Sequence, residues 1–236
     1  MDGEAREFSE RLALVERSMR RYRAALAAVT LIAAAGLAGP SIVGAAKAPG
    51  VIQAKSFAVV DDNGAVRAAL AAKGDGAGLA IYDKAGKTRA SLGTTGDGIV
   101  LVLCDKAGKE RAALVTGGDS TGLVLYDETG KRRAGLATTR GVTSLTLNDT
   151  AEKMRVFLDS GDDTGLTLYD KAGKTLAALD TMGDDTSLTL ADKAGNMRAA
   201  LGNFDLKNTA TGSTEHRAAS SLVLLNEQGR VLWEAP

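Results

Sequence analysis

From about residue 51 onward, large apolar residues recur at every second position in short runs. "GLAIYD" (78–83), "GLVLYD" (122–127) and "GLTLYD" (165–170) each set two aliphatic side chains two residues apart, the period of a β-strand. A polar break follows, and then "TRASL" (88–92) or "ERAAL" (110–114) alternates again, with Ala and Leu on one side and Arg on the other. The break reads Asp-x-x-Gly, a tight turn in which Asp accepts hydrogen bonds from its own backbone and Gly takes a positive φ. A second loop of five to seven residues rich in Gly, Asp and Thr, such as "GTTGDG" (93–98), closes each unit. A different period occupies the N-terminus. Phe8, Leu12, Val15, Met19 and Tyr22 are spaced four, three, four, three, a heptad stripe that predicts a helix over residues 1–23. It runs into residues 24–46, which carry no charge and are long enough as a helix to cross a hydrocarbon core of about 30 Å.

The strand pattern is a repeat. Asp61, Asp83, Asp105, Asp127, Asp149, Asp170 and Asp192, then Asn226, follow one another at spacings of 22, 22, 22, 22, 21, 22 and 34. Leucine stands nine positions after each aspartate, from Leu70 to Leu201, and arginine stands six after most of them; the unit at Asp149 departs by placing Glu152 where the others have Gly. A period in the twenties is the signature of a repeat architecture. No single unit buries enough apolar surface to fold alone, so neighbouring units must stack. The expected fold is therefore an all-β repeat domain over 47–236, about eight units long, built as a β-solenoid or as stacked β-hairpins. Two geometries compete. A flat hairpin with one glycine bulge shifts the register by one and throws the Leu79/Ile81 and Ala90/Leu92 stripes onto opposite faces. A coil that rounds a corner at the turn brings both stripes inward, and this tidier arrangement is the one favoured.

Charge adds an orientation. Arg17, Arg20, Arg21 and Arg23 precede the uncharged stretch, whereas only Lys47 and Lys55 lie close beyond it. The positive-inside rule places the N-terminus in the cytoplasm and the repeats outside it, periplasmic or extracellular, on a single-pass inner-membrane anchor. A cleavable signal peptide ending near Gly44-Ala45-Ala46 is the rival reading, with an n-region unusually long for one. The heptad residues Phe8, Leu12, Val15, Met19 and Tyr22 are candidates for bundling several anchors, or for an amphipathic helix on the bilayer surface. Aromatics are only 4% of the chain and many core slots are Ala, a lean composition that points to a homo-oligomer, a trimer sharing one core among its forms.

Candidate chemistry is sparse. Net charge is zero and no basic patch with interleaved aromatics occurs, so no nucleic-acid partner is expected. One cysteine, Cys104, and one histidine, His216, are too few for the usual four-ligand zinc site from one chain. No nucleophile elbow or phosphate loop is present; no cofactor is expected, and the chain does not read as an enzyme. His216 lies in the insertion 202–219 that breaks the rhythm, read as a solvated loop that carries specificity if any loop does. Tyr82, Tyr126 and Tyr169 share the position before the aspartate, where Cys104 stands in one unit; they are read as a recognition row or as cover for the outer sheet face. Trp233 replaces an alanine of earlier units and is read as a lid over the terminal core, with a docking role as the alternative. Acidic loops such as "GDDTG" (161–165) raise calcium as a ligand, and threonines repeat at two positions, Thr121, Thr143, Thr164 and Thr186, and Thr146, Thr167 and Thr189.

The "YDKAGK" and "YDETGK" cores resemble the tyrosine–aspartate repeats of Rhs-type bacterial proteins, without their second tyrosine or the bulky residues after the turn. Choline-binding hairpin repeats share an Asp-x-x-Gly-Lys turn, but their aromatic cage is missing here. Over residues 11–236 the chain is more similar to a group of uncharacterised bacterial proteins with an arginine-flanked single span, tandem L-x-D-x-x-G-K-x-R-A-x-L units and a VLW-x-A-P-like end. That resemblance implies an envelope setting and an architecture, and no activity. The functional expectation is a membrane-anchored scaffold that binds another envelope protein through its β-repeat face. The alternative is a binding module for calcium or glycan that uses the acidic loops or the 202–219 insertion.

Overall fold

A computed structural model describes residues 52–235 apart from Asp97 and residues 208–213. The helix over 1–23, its heptad residues and the span 24–46 lie outside the described residues. Among the described residues there are sixteen strands and no helix. They fall into two units, 1–118 and 119–236.

The first unit holds β1 (Ser56–Val60), β2 (Val66–Lys73), β3 (Gly76–Tyr82), β4 (Thr88–Thr95), β5 (Gly98–Cys104) and β6 (Glu110–Gly117), each antiparallel to the next. The second holds β7 (Ser120–Tyr126), β8 (Arg132–Thr139), β9 (Val142–Asn148), β10 (Met154–Ser160), β11 (Thr164–Tyr169), β12 (Thr175–Met182), β13 (Asp185–Ala191), β14 (Met197–Lys207), β15 (Thr214–Leu225) and β16 (Val231–Ala235), again paired in chain order. Each unit is thus an antiparallel meander of hairpins. The solenoid coil is not formed, because within each unit every strand pairs antiparallel with its neighbours in sequence.

The turn explains why a flat hairpin nevertheless keeps both apolar stripes on one face. In the repeat of Asp83, the Gly86 N–H donates to the Asp83 carbonyl at 3.0 Å and the Asp83 N–H donates to the Lys87 carbonyl at 2.9 Å, a type I turn closed by a glycine at φ 76°. This is the expected glycine bulge. A second bulge then follows. Tyr82 pairs with Thr88 but Ile81 pairs with Ala90, leaving Arg89 as the extra residue. Two shifts restore the parity that one would break, so Leu79 faces Leu92 and Ile81 faces Ala90. The same step recurs at Arg67, Arg111, Arg133, Arg155 and Arg198. The repeat arginine is therefore the bulged residue.

At the other end several hairpins close more tightly than the sequence suggests. Lys73 pairs with Gly76 around Gly74-Asp75, Thr139 with Val142 around Arg140-Gly141, and Met182 with Asp185 around Gly183-Asp184. These are two-residue loops with positive φ at Gly74, Arg140, Gly141 and Gly183, which suits the twist of a hairpin. Most of the flanking Gly and Thr belong to strands.

The two faces differ. On one face a central row joins Leu123, Leu136, Leu145, Leu158, Leu166, Leu179, Leu188, Leu201 and Leu222 as successive partners. Phe57, Leu70, Leu79, Leu92, Leu101 and Leu114 do the same in the first unit. Most of these leucines are more than a third exposed, Leu136 at 46% and Leu92 at 44%. The buried row lies on the other face and is built of small residues: Ala69, Ala80, Ser91, Val102 and Ala113 in the first unit, and Val124, Thr146, Ala178, Ala200 and Val223 in the second. A leucine-lined interior was expected; the described chain buries its small residues and presents its leucines. The 202–219 insertion is also not a loop throughout. It lengthens β14 and β15 into a long hairpin, bent where Asn203 lies opposite three residues between the Gly202–Ser221 and Phe204–Arg217 pairs. The bend lets Phe204 join Ala200, Val223 and Leu225 in a buried cluster, with Met197 and Leu206 at its margin.

Candidate functional site

The leucine face is the principal surface feature, and the repeat chemistry explains how it is held. Beside the central row runs a second, in which Leu125, Ala134, Leu147, Val156, Leu168, Ala177, Leu190, Ala199, Leu224 and Trp233 are successive partners. On the other flank, Thr121 pairs with Thr138, Thr138 with Thr143, Thr143 with Ser160, Ser160 with Thr164, and Thr181 with Thr186. The hydroxyls of this flank bond locally: Thr138 and Thr143 Oγ1 lie 3.1 Å apart and the Thr164 N–H donates to Thr181 Oγ1 at 2.8 Å. Three rows therefore carry no charged side chain.

From β7 to β13 charge lies in the turns and loops at the strand ends and on the opposite face. In the repeat of Asp83, Oδ1 accepts the Ala85 N–H at 2.9 Å and the Lys87 N–H at 3.0 Å, while Oδ2 faces the Arg89 guanidinium at 3.9 Å. The bulge aims that arginine over the small-residue face. Asp61 with Arg67, Asp105 with Arg111, Asp127 with Arg133 and Asp192 with Arg198 repeat the pair. Several cations also reach the next hairpin. Arg67 Nη1 donates to the Asp83 carbonyl at 2.6 Å, Arg89 Nε to the Cys104 carbonyl at 3.2 Å, Lys131 Nζ to the Thr150 carbonyl at 2.8 Å and Lys153 Nζ to the Lys171 carbonyl at 3.0 Å. The N–H groups beyond each turn hold the carboxyls below the ordinary range, the Lys87 N–H foremost at Asp83. Asp192 is lowered to about 2, with the Asn196 N–H as the first cause and Arg198 assisting.

The tyrosine row lies away from the leucines. Tyr126 is 9% exposed, and Tyr82 and Tyr169 are half-buried. Burial raises the phenol pKa of both Tyr82 and Tyr169, and it raises the Cys104 thiol in the equivalent position. These residues cover the small-residue face instead of forming an exposed stripe. Trp233 pairs with Leu224 at the last strand and is half exposed, so it extends the leucine face and does not close over a buried core. His216 lies on β15, where its Nδ1 is 2.9 Å from Asp205 Oδ1, both well exposed. Within the second unit, His216 on β15 is not brought together with Tyr126 on β7 or Tyr169 on β11.

The two threonine positions lie on opposite faces, with Thr146 buried at 2%, so they form no single array. Among the described residues no three His, Cys, Asp or Glu side chains are grouped to hold a metal ion. The signal that sequence reading missed is the arginine: its fixed place six after the aspartate marks the second bulge, and the second bulge decides which residues share a face. No protein-family model matches the chain, and no curated protein is significantly similar to it.

Proposed function

We propose that the chain is a membrane-anchored scaffold of the bacterial envelope, without catalytic activity of its own, that binds protein through the leucine face of its repeat sheets. One observation carries the reading: uncharged rows of half-exposed leucines run along each unit from strand to strand, whereas scattered single apolar residues would need no explanation. An apolar area of this extent, bordered by charged turns, marks an interaction site on a soluble surface. Residues 24–46 supply the anchor and the arginines before them keep the N-terminus in the cytoplasm, so the sheets work on the far side of the membrane.

The test is affinity purification of the full chain from membranes in mild detergent, with masses and stoichiometry read for whatever accompanies it. The double substitution Leu158→Glu/Leu179→Glu places two charges at the centre of the face. It is expected to remove the co-purifying protein at least tenfold while leaving the circular dichroism spectrum unchanged, because both leucines are already about 40% exposed. Undiminished recovery of the partner defeats the reading.

A further inference from the structure

The leucine face has a texture, an extent and a charge frame, and together they specify what covers it. We infer that the occupant is a second copy of this chain, laid leucine face to leucine face over the second unit, with its strands running opposite to those of the first. The inference rests on the reading that protein covers this face.

Extent comes first. In the second unit twelve large apolar side chains on the face, from Leu123 to Trp233, are each between 37% and 50% exposed. Together they offer on the order of 1,000 Å², against roughly 800 Å² per partner in a standard interface. A flat, regular sheet of that area matches another sheet better than it matches a compact ligand, since facing sheets stack about 10 Å apart through interdigitated side chains. Texture points to a like surface. The all-leucine row stands beside one in which large and small alternate, Leu125, Ala134, Leu147, Val156, Leu168 and Ala177. When two copies face each other about an axis between these rows, the leucine row of each lies over the knobs and gaps of the other's alternating row.

Charge decides the direction. The five turns 127–133, 149–155, 170–176, 192–198 and 226–232 carry ten Lys and Arg against seven Asp and Glu. At the opposite end of the strands, the short loops carry Asp119, Asp162, Asp163, Asp184 and Asp185 against Arg140, and the β14–β15 extension adds Asp205 and Glu215 balanced by Lys207 and Arg217. Charges at both ends are partly engaged, Asp127 and Asp192 with Arg133 and Arg198 and Asp119 with Arg140, so it is the net excess at each end that counts. Joining the same face of two copies requires a two-fold axis in the plane between them. An axis along the strands would place turns over turns, basic over basic. An axis across the strands places turns over the acidic loops and sets each strand over its own equivalent, β11 over β11. Complementary potentials select the second.

The experiment uses the full chain in nanodiscs of phosphatidylethanolamine and phosphatidylglycerol, with copy number read by native mass spectrometry. Pairs are expected for the native chain and single copies for Leu158→Glu/Leu179→Glu. Reversing the turn end alone, Lys171→Glu/Lys193→Glu, weakens pairing at least tenfold. Adding Asp163→Lys/Asp185→Lys to the same chain restores it. Tighter pairing after the first reversal means turns over turns and overturns the antiparallel arrangement. Pairing that survives the leucine substitutions means that the contact lies elsewhere and overturns the proposal. Single native copies that still lose a different protein on leucine substitution leave the scaffold reading intact and end this one. Single native copies that lose nothing end both. Binding of the sheet to protein-free vesicles of the same lipids assigns the face to lipid and overturns the proposal as well.

Discussion

Asp83, Asp105, Asp149 and Asp170 each hold two backbone N–H groups of their own turn on one carboxylate oxygen. Asn226 does the same work uncharged, accepting the Gln228 N–H at 3.0 Å and the Arg230 N–H at 2.8 Å. The comparison separates the cap from the charge. The folded sheet holds the pKa of these aspartates below the ordinary carboxylate range, the turn N–H groups being the first cause. Their stabilising contribution is therefore fully present above the unfolded value, and it is lost as pH falls through the folded one. The melting temperature is expected to hold from pH 7 to pH 5 and to fall below about pH 4. The triple variant Asp83→Asn/Asp105→Asn/Asp170→Asn keeps its caps and should show a visibly shallower fall between pH 4 and pH 2 in thermal scans. An unchanged slope would mean that the turns do not set acid stability. Glu152, at φ 62°, shows that the turn survives loss of its glycine, with Oε1 of Glu152 accepting the Arg132 N–H at 3.1 Å.

At the scale of the hairpin, the strands were legible because alternation in "GLVLYD" and the Asp-x-x-Gly break are local signals. The face assignment was not. It depends on a second bulge six residues after the aspartate, filled by arginine in most repeats and by Leu176 and Leu232 in two, and arginine on a strand reads as an ordinary solvent-facing residue. The leucines misled for a related reason: a large aliphatic stripe is usually the core, yet here Ala and Val pack the buried row under the arginine and tyrosine side chains. The insertion reads as a loop in the sequence because it breaks the 22-residue rhythm, although β14 continues through Asp205 to Lys207 and β15, which includes His216, begins at Thr214. That hairpin bends at Gly202, φ 104°, where an added Cβ would sit 2.0 Å from the Thr186 carbonyl oxygen. Gly202→Ala is expected to cost at least the roughly 1–3 kcal/mol of a strained backbone site. It should open the Phe204 cluster, read as faster amide exchange in residues 200–206 with the distant strands unchanged. Protection equal to the native protein would show that the bend is not fixed by this residue.

At the scale of the molecule, the repeat makes length a free variable. One period of 22 residues is two strands, so removing 84–105 joins Asp83 to Lys106 in an intact turn motif and leaves every row in place. That chain is expected to keep the β circular dichroism spectrum and a single cooperative melt, lowered by several degrees, as nearest-neighbour stacking predicts. Removing 11 residues instead exchanges turn ends for loop ends, and it should aggregate or unfold. If both deletions behave alike, the rows do not carry the stability.

The cations that leave each turn share one direction. Arg67, Arg89, Lys131, Lys153 and Lys174 all donate to a carbonyl of the hairpin that follows, whereas the arginine position holds Leu176 after Asp170 and Leu232 after Asn226. Each module is thus finished by its successor. During synthesis the sheet is stitched in the order in which the ribosome delivers it, and stalled nascent chains should gain protease resistance in steps of one period, each step lagging one hairpin behind the exit tunnel.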